Sequence, residues 1–326
     1  MNNARRTGRT PSCAMTKGSI QVRLVASAFF ACAVLFIAAD PGKIHGADAQ
    51  DPSFSIMIGY MATVFVDVDM DDAKVVTKLW SDMVVRKKRG RAETKVYQDL
   101  PELERDLKAG KVDMAIMVSN DFVELRNRVP IEPIMVSSRE KEFYEELYLL
   151  VRKDSGIKSV KDLRNKTFIL QKGQYAVVHK IWLETLLMNE GGHDARQFFS
   201  SVKDARKPSQ AVMPVFFRQA DACIITRNGF DVMAEMNPQL RNELLVLARS
   251  PKIASGVIAL RKDFREDRKE TVRELLSTLH EDTQGKQLLT LFRMSKLVPF
   301  RQEYMTGMEA FLREHRDLKV RVAKGK

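Results

Sequence analysis

From Phe54 onward, short apolar runs alternate with stretches whose apolar residues recur at helical spacing, and that alternation admits few architectures other than α/β. Phe54–Tyr60 (FSIMIGY) reads as a strand, Asp71–Val85 as a helix and Thr94–Tyr97 as a second strand. Pro101–Ala109, with proline in its first turn and Gly110 past its end, reads as a second helix, and Met114–Val118 as a third strand. This succession is a pair of right-handed crossover units. Ile134–Ser137 and Phe143–Val151 follow as strands, the second long enough to cross between two lobes. A second α/β set then begins. Ser159–Leu163 reads as a helical turn, Lys166–Leu170 as a strand, Tyr175–Asn189 as a helix closed by Gly191-Gly192, Pro208–Gln219 as a helix, Ala222–Ile225 as a strand and Asn228–Met236 as a helix before Pro238. Leu244–Ala248 and Gly256–Leu260 are strand-like, and Arg265–His280, Asp282–Phe292 and Arg301–His315 form a helical tail. The pattern predicts two lobes, each a mixed sheet flanked by helices, joined by a hinge with a ligand held between them. Residues 50–145 would open lobe I, 146–249 form lobe II, and 250–326 return to lobe I and end in the helical tail.

Ahead of this pattern lies the one long apolar run, Leu24–Ala39, preceded by Arg5, Arg6, Arg9, Lys17 and Arg23 and followed by Ala47-Asp48-Ala49. A helix of that length spans roughly 24 Å, short of the ~30 Å hydrocarbon core, so residues 1–49 read as a cleaved signal peptide rather than an anchor. Met15 is a second candidate start, because Met15–Ala49 already holds a charged head, an apolar middle and a cleavage site. Cys32 sits inside the apolar run rather than at its end, which argues against lipidation. The 326-residue chain carries 54 Lys and Arg against 42 Asp and Glu, a net charge of +12. The export segment holds six of the basic and two of the acidic residues, so the remainder carries 48 against 40, or +8. That surplus is spread through both lobes with no stripe of basic and aromatic residues, which excludes nucleic acid as the expected partner and leaves a mild bias towards anions. Without the signal segment Cys223 is the one cysteine, so neither an internal disulfide nor a Cys-based metal site can form. It lies in a short apolar run and reads as a buried core residue.

Catalytic constellations are poor. His179, His193, His280 and His315 are scattered, and HExxH, GxSxG and GxxxxGK[ST] patterns do not occur. No catalytic residue, metal site or cofactor is therefore expected, and the chain does not read as an enzyme. The acidic cluster Asp67, Asp69, Asp71, Asp72 lacks the glycine and the final glutamate of a calcium loop, and reads instead as the cap of the helix that follows. Arg86–Arg91 (RKKRGR), the densest charge run, reads as a solvated loop between a helix and a strand.

Four segments carry a resemblance. Ser155–Leu170 (SGIKSVKDLRNKTFIL) follows the pattern S-x-I-x-S-x-x-D-L-x-x-K-x-F, and Leu107–Met117 (LKAGKVDMAIM) the pattern L-x-x-G-x-x-D-x-A. Phe217–Ile225 (FRQADACII) is similar to the corresponding second-lobe segment, and Val246–Phe264 (VLARSPKIASGVIALRKDF) to the return crossover. In this order, behind a signal peptide, they resemble the periplasmic type 2 solute-binding proteins of phosphate, phosphite and phosphonate ABC transporters over Phe54–Leu318. The resemblance implies a periplasmic, monomeric, two-lobed protein that captures a small anionic solute and delivers it to an inner-membrane ABC permease. The alternative is a sensor presenting its closed form to a membrane signalling receptor.

In such binders contacts come from strand ends and helix starts facing the cleft. That places Tyr60 and Thr63 after the first strand, Ser119 and Asn120 after the third, and Thr226 and Arg227 after the strand Ala222–Ile225 among the candidates. Lys172, Gly173, Gln174 and Tyr175 precede the main helix of the second lobe and complete the set. Here the sequence departs from the family, whose phosphonate binders carry a Ser/Thr-rich turn where Gln171–Tyr175 offers only a phenol.

Overall fold

The computed structural model describes residues 53–65, 69–138, 143–171, 175–192, 194–292 and 294–325. Residues 1–49, which the sequence reads as a signal peptide, lie outside them, and everything below concerns the unit from Pro52 to Lys326. In chain order come β1 (Phe54–Met61), α1 (Met70–Arg86), β2 (Gly90–Tyr97), α2 (Leu100–Lys108), β3 (Met114–Val118), α3 (Ser119–Leu125) and β4 (Ile131–Ser138). The chain then passes through β5 (Tyr144–Glu145) into β6 (Leu147–Arg152), β7 (Thr167–Gln171), α4 (Ala176–Asn189), α5 (Ala195–Phe198) and β8 (Ser201–Ala205). It continues with α6 (Pro208–Phe216), β9 (Ala222–Thr226), α7 (Arg227–Met236), α8 (Gln239–Glu243) and β10 (Leu244–Arg249). β11 (Ile253–Ala254) leads back to β12 (Gly256–Arg261), α9 (Glu266–Ser277), α10 (Thr283–Leu291), β13 (Lys296–Pro299) and α11 (Thr306–Lys324).

Two sheets result. The first has the order β13-β4-β12-β3-β1-β2, with β1 parallel to β2 and β3 and with β12 antiparallel to β3 and β4. The second has the order β10-β6-β9-β7-β8, with β7 parallel to β8 and β9 and with β6 antiparallel to β9 and β10. These are the mixed sheets of two α/β lobes. The outward crossing at β5 and the return at β11 pair with each other antiparallel, Ile253 opposite Glu145 and Ala254 opposite Tyr144, so the hinge is a two-stranded ribbon.

The central strands of both sheets are buried on both faces, which is why β3, β6 and β9 are almost uniformly apolar, whereas the edge strands β2 and β8 carry charged residues. In lobe I, Phe54, Ile56, Ile58 and Tyr60 of β1 pack beneath α1, α9 and α10, whereas Met61 joins Tyr97, Leu103 and Leu107 on the opposite side. In lobe II, Leu147, Leu149 and Val151 of β6 face one core, and Tyr148 and Leu150 the other. Cys223 belongs to the latter and is fully buried, and that burial pushes its thiol pKa far up. Thiol reagents should therefore leave it unmodified in the native protein and label it only in denaturant; rapid native labelling would show that lobe II opens.

Several sequence expectations are refined. Phe143–Val151 is not one strand: it breaks at Glu146, whose carbonyl accepts the Arg227 N–H at 2.7 Å, leaving β5 to the hinge and β6 to lobe II. The edge strands β8 and β13 were not legible, one because it carries Lys203 and Asp204, the other because it is four residues long and ends in proline. The tail does not stay with lobe I. Tyr304 and Met305 fill that lobe's core, but Met308 and Phe311 of α11 enter the core of lobe II, and His315 Nε2 meets Glu184 Oε2 of α4 at 2.9 Å. Arg126, just past α3, pairs with Glu309 at 2.6 Å, so α11 straps the lobes together. Asp69 caps α1 by accepting the Asp71 N–H at 2.9 Å, as the acidic cluster suggested. The basic run Arg86–Arg91 docks on the protein's own surface, Lys87 pairing with Asp282 and Lys88 with Glu274 at 2.9 Å.

Candidate ligand-binding site

Strands β3, β4 and β12 bring their ends together beside the hinge. There Ile116, Met117, Ser137, Ser138, Ser255, Gly256, Val257 and Ile258 line a cavity of about 50 Å³, which Val64, Phe292, Met294 and Leu297 close from lobe I. Tyr175, one residue before α4, is lobe II's contribution: its Oη donates to Ser255 Oγ at 2.8 Å across the cleft. Ser137 Oγ accepts the Gly256 N–H at 3.0 Å, and a side chain at Gly256 would press on that hydroxyl. The cavity thus has an apolar wall in lobe I and a ring of hydroxyls at the hinge. Among the described residues the first turn of α4 carries no acidic side chain, and its N-cap Tyr175 lines the cavity, so the positive end of the helix dipole lies on that side of lobe II.

At the same end of α4, His179 Nδ1 lies 2.8 Å from the Gln171 carbonyl oxygen, which only accepts, so Nδ1 carries the proton. Burial pushes the ring's pKa down to about 4, and it is neutral at physiological pH. Its Nε2 and the Gln171 Oε1 are buried acceptors with no partner among the described residues.

The candidates from sequence are placed as follows. Tyr175 lines the cleft. Lys172, Gly173 and Gln174 lie outside the described residues. Thr63, Ser119 and Asn120 gather at the start of α3 around a residue that sequence reasoning passed over, Asp121: Thr63 Oγ1 donates to its Oδ2 at 3.0 Å and Asn120 Nδ2 to its Oδ1 at 2.8 Å. Ser119 Oγ donates to the Ala254 carbonyl of the hinge at 2.5 Å. Burial raises the Asp121 pKa to about 6, partly offset by the Thr63 hydrogen bond. Tyr60 turns into the lobe I core, its hydroxyl 2.9 Å from Ser81 Oγ, and desolvation there pushes its pKa up to about 12. Thr226 caps α7 by accepting the Gly229 N–H at 3.1 Å, and Arg227 faces Glu146 at 3.7 Å. Ser137, Ser138, Ser255 and Gly256 were missed. Their signal was modest: a serine pair ending the apolar strand β4, and a Ser-Gly step between two short apolar segments.

Two α/β lobes hinged by a pair of strands around a small hydroxyl-lined cavity define a two-lobed periplasmic binding protein. Residues 77–304 match the family model described as ABC transporter, phosphonate, periplasmic substrate-binding protein. The chain belongs to this family, the solute-capturing components of ABC transporters. No curated protein matches the sequence. Among solved structures, a Xanthomonas citri protein bound to ATP is 15% identical with a TM-score of 0.60, covering 81% of this chain and 98% of its own. The binding-protein component of a Pseudomonas aeruginosa ABC phosphonate transporter is 15% identical with a TM-score of 0.57, covering 82% and 88%. PhnD1 of Prochlorococcus marinus, solved with methylphosphonate, is 14% identical with a TM-score of 0.55, covering 80% and 97%. At these identities the likeness is one of fold. Among the described residues no helix is long and apolar enough to cross a membrane.

Proposed function

We propose that the chain is an exported, monomeric carrier that closes its two lobes on a small oxyanion of the phosphonate or sulfonate type and presents the closed form to an ABC permease. The observation that carries this reading is the hydroxyl ring at the hinge, in which lobe II's Tyr175 reaches lobe I's return strand at Ser255. Hydroxyls and the open first turn of α4 donate to oxyanion oxygens without needing a fixed counter-charge, which suits a site whose ligand must be released. The methylphosphonate bound by the Prochlorococcus protein supports the same class of ligand.

A thermal-shift screen of phosphate, phosphite, alkylphosphonates, sulfonates and dicarboxylates tests it. A cognate anion at ~100 times its dissociation constant should add about 2.7 kcal/mol of stability. Tyr175→Phe should keep the fold and weaken that anion about five- to tenfold, the worth of one hydrogen bond. Stabilisation by a neutral or cationic solute, and by no anion, would overturn the reading.

A further inference from the structure

Lobe I contains a second cavity, of about 80 Å³, between its sheet and helices α1, α9 and α10. Ile56, Ile58, Val84, Val272, Leu275 and Leu276 are among its walls, and its polar lining is little more than the Tyr60–Ser81 hydroxyl pair, which is self-satisfied at 2.9 Å. A cavity of this kind offers water no partners and favours an apolar guest. It adjoins the hinge cavity directly: Ile116, Ile258, Phe292, Met294 and Leu297 line both. Phe292 and Met294 lie just past the end of α10, outside regular structure, and Phe292 meets Tyr60, Phe65 and Trp80 with ring centroids 6.5, 5.7 and 5.6 Å away. Of the five shared residues, Ile116, Ile258 and Leu297 stand on strands of the sheet, whereas Phe292 and Met294 are a ring and a thioether on the connection past α10 that swing on few bonds and can open a way between the cavities.

We infer that the two cavities form one head-and-tail site: the hinge hydroxyls hold the oxyanion head, and a linear alkyl chain passes Phe292 into the lobe I cavity. The ligand class is an alkylphosphonate or alkylsulfonate with a chain of several carbons, in preference to inorganic phosphate or methylphosphonate. This deepens the function proposed above and rests on it for the position of the head. It also accounts for the apolar character of the hinge cavity's lobe I wall, which a small, fully hydrated anion does not need.

Isothermal titration of methyl-, butyl-, hexyl- and octylphosphonate, with matched sulfonates and the corresponding 1-alkanols, tests the inference. Each added methylene should tighten binding about fourfold until the cavity is filled, following the transfer free energy of one CH₂. Val272→Phe, which fills the lobe I cavity away from the hinge, should abolish the gain with chain length and leave methylphosphonate affinity unchanged. Trp80 provides a readout that needs no plugging variant: in a Trp182→Phe background, octylphosphonate brominated at its chain end should quench the remaining indole and bromomethylphosphonate should not. Equal affinities across the series, with short phosphonates still bound, would overturn the tail site and leave the oxyanion reading standing. Alkanols binding as tightly as phosphonates of the same length would overturn the coupling of head to tail. Failure of every anion to bind would remove both.

Discussion

Gly307→Ala should cost about 3 kcal/mol of stability and lower the melting temperature by roughly 6–10 °C, although alanine is the better helix former. Gly307 is the second residue of α11, and a Cβ there would be driven into the carbonyl oxygen of Lys252. That carbonyl cannot yield cheaply. It precedes β11, whose Ile253 is buried in the core of lobe II and whose Ala254 is buried in the core of lobe I. Relieving the clash means moving either the hinge ribbon or the helix that straps the lobes, so ligand affinity should fall together with stability. Gly156→Ala is the control: its φ of +75° is strained for alanine, but nothing surrounds the site, so only about 1 kcal/mol is at stake. Differential scanning calorimetry of both variants decides the matter, and a Gly307→Ala protein melting within a degree of wild type would refute the close approach.

Asp121→Asn should act in the opposite direction, and only above a certain pH. The folded-state pKa of Asp121 is raised to about 6 from 3.8, chiefly by burial. A raised carboxyl pKa means that the unfolded chain gives up its proton first. The stability associated with the neutral acid is fully present below about pH 4 and is lost as pH rises through 6. Two pKa units correspond to about 3 kcal/mol. Asparagine avoids that charging cost but surrenders one of the two acceptors used by Thr63 and Asn120, so a net gain of about 1–2 kcal/mol is expected at pH 7.5. In urea titrations the gap between variant and wild type should open between about pH 4 and 6 and stay level above that, while a gap that does not change with pH would refute the buried charge. The wild type keeps this carboxylate beside the hinge at a cost, which is what a residue retained for positioning Thr63 and Asn120 would show.

The alternation along the chain foretold most of the two lobes because each strand and each amphipathic helix announces itself through its own local period. Asp71–Val85 was read within a residue of α1, and Ala222–Ile225 within a residue of β9, because both are buried by pattern rather than by partner. β13 and β8 stayed hidden because each is short and carries little apolar signal of its own, whereas the opposite edges β2 and β10 hold a readable stretch in Thr94–Tyr97 and Leu244–Ala248. The split of Phe143–Val151 into β5 and β6 depended on Arg227, far along the chain, taking the Glu146 carbonyl.

The candidate site was less legible than the fold. Tyr60 and Tyr175 both sit beside strand ends in sequence, yet one turns into a core and the other reaches the hinge. A strand end has two faces, and only packing decides which of them meets the cleft. Ser137 and Ser255 were invisible for a related reason, since a lone serine in an apolar stretch says nothing until a neighbouring backbone or a second lobe closes on it.

By itself, then, the order of apolar runs determined two mixed α/β lobes, the place of the crossing between them and the family to which they belong, because these follow from local periodicity and from motifs contiguous in the chain. The tertiary structure alone decided that α11 straps the lobes, that the cleft is ringed by Ser137, Ser138, Tyr175 and Ser255, and that a second, apolar cavity adjoins it. Each of these is a contact between segments far apart in the chain, and such contacts are set by how surfaces fill space together rather than by the spacing of residues within any one segment.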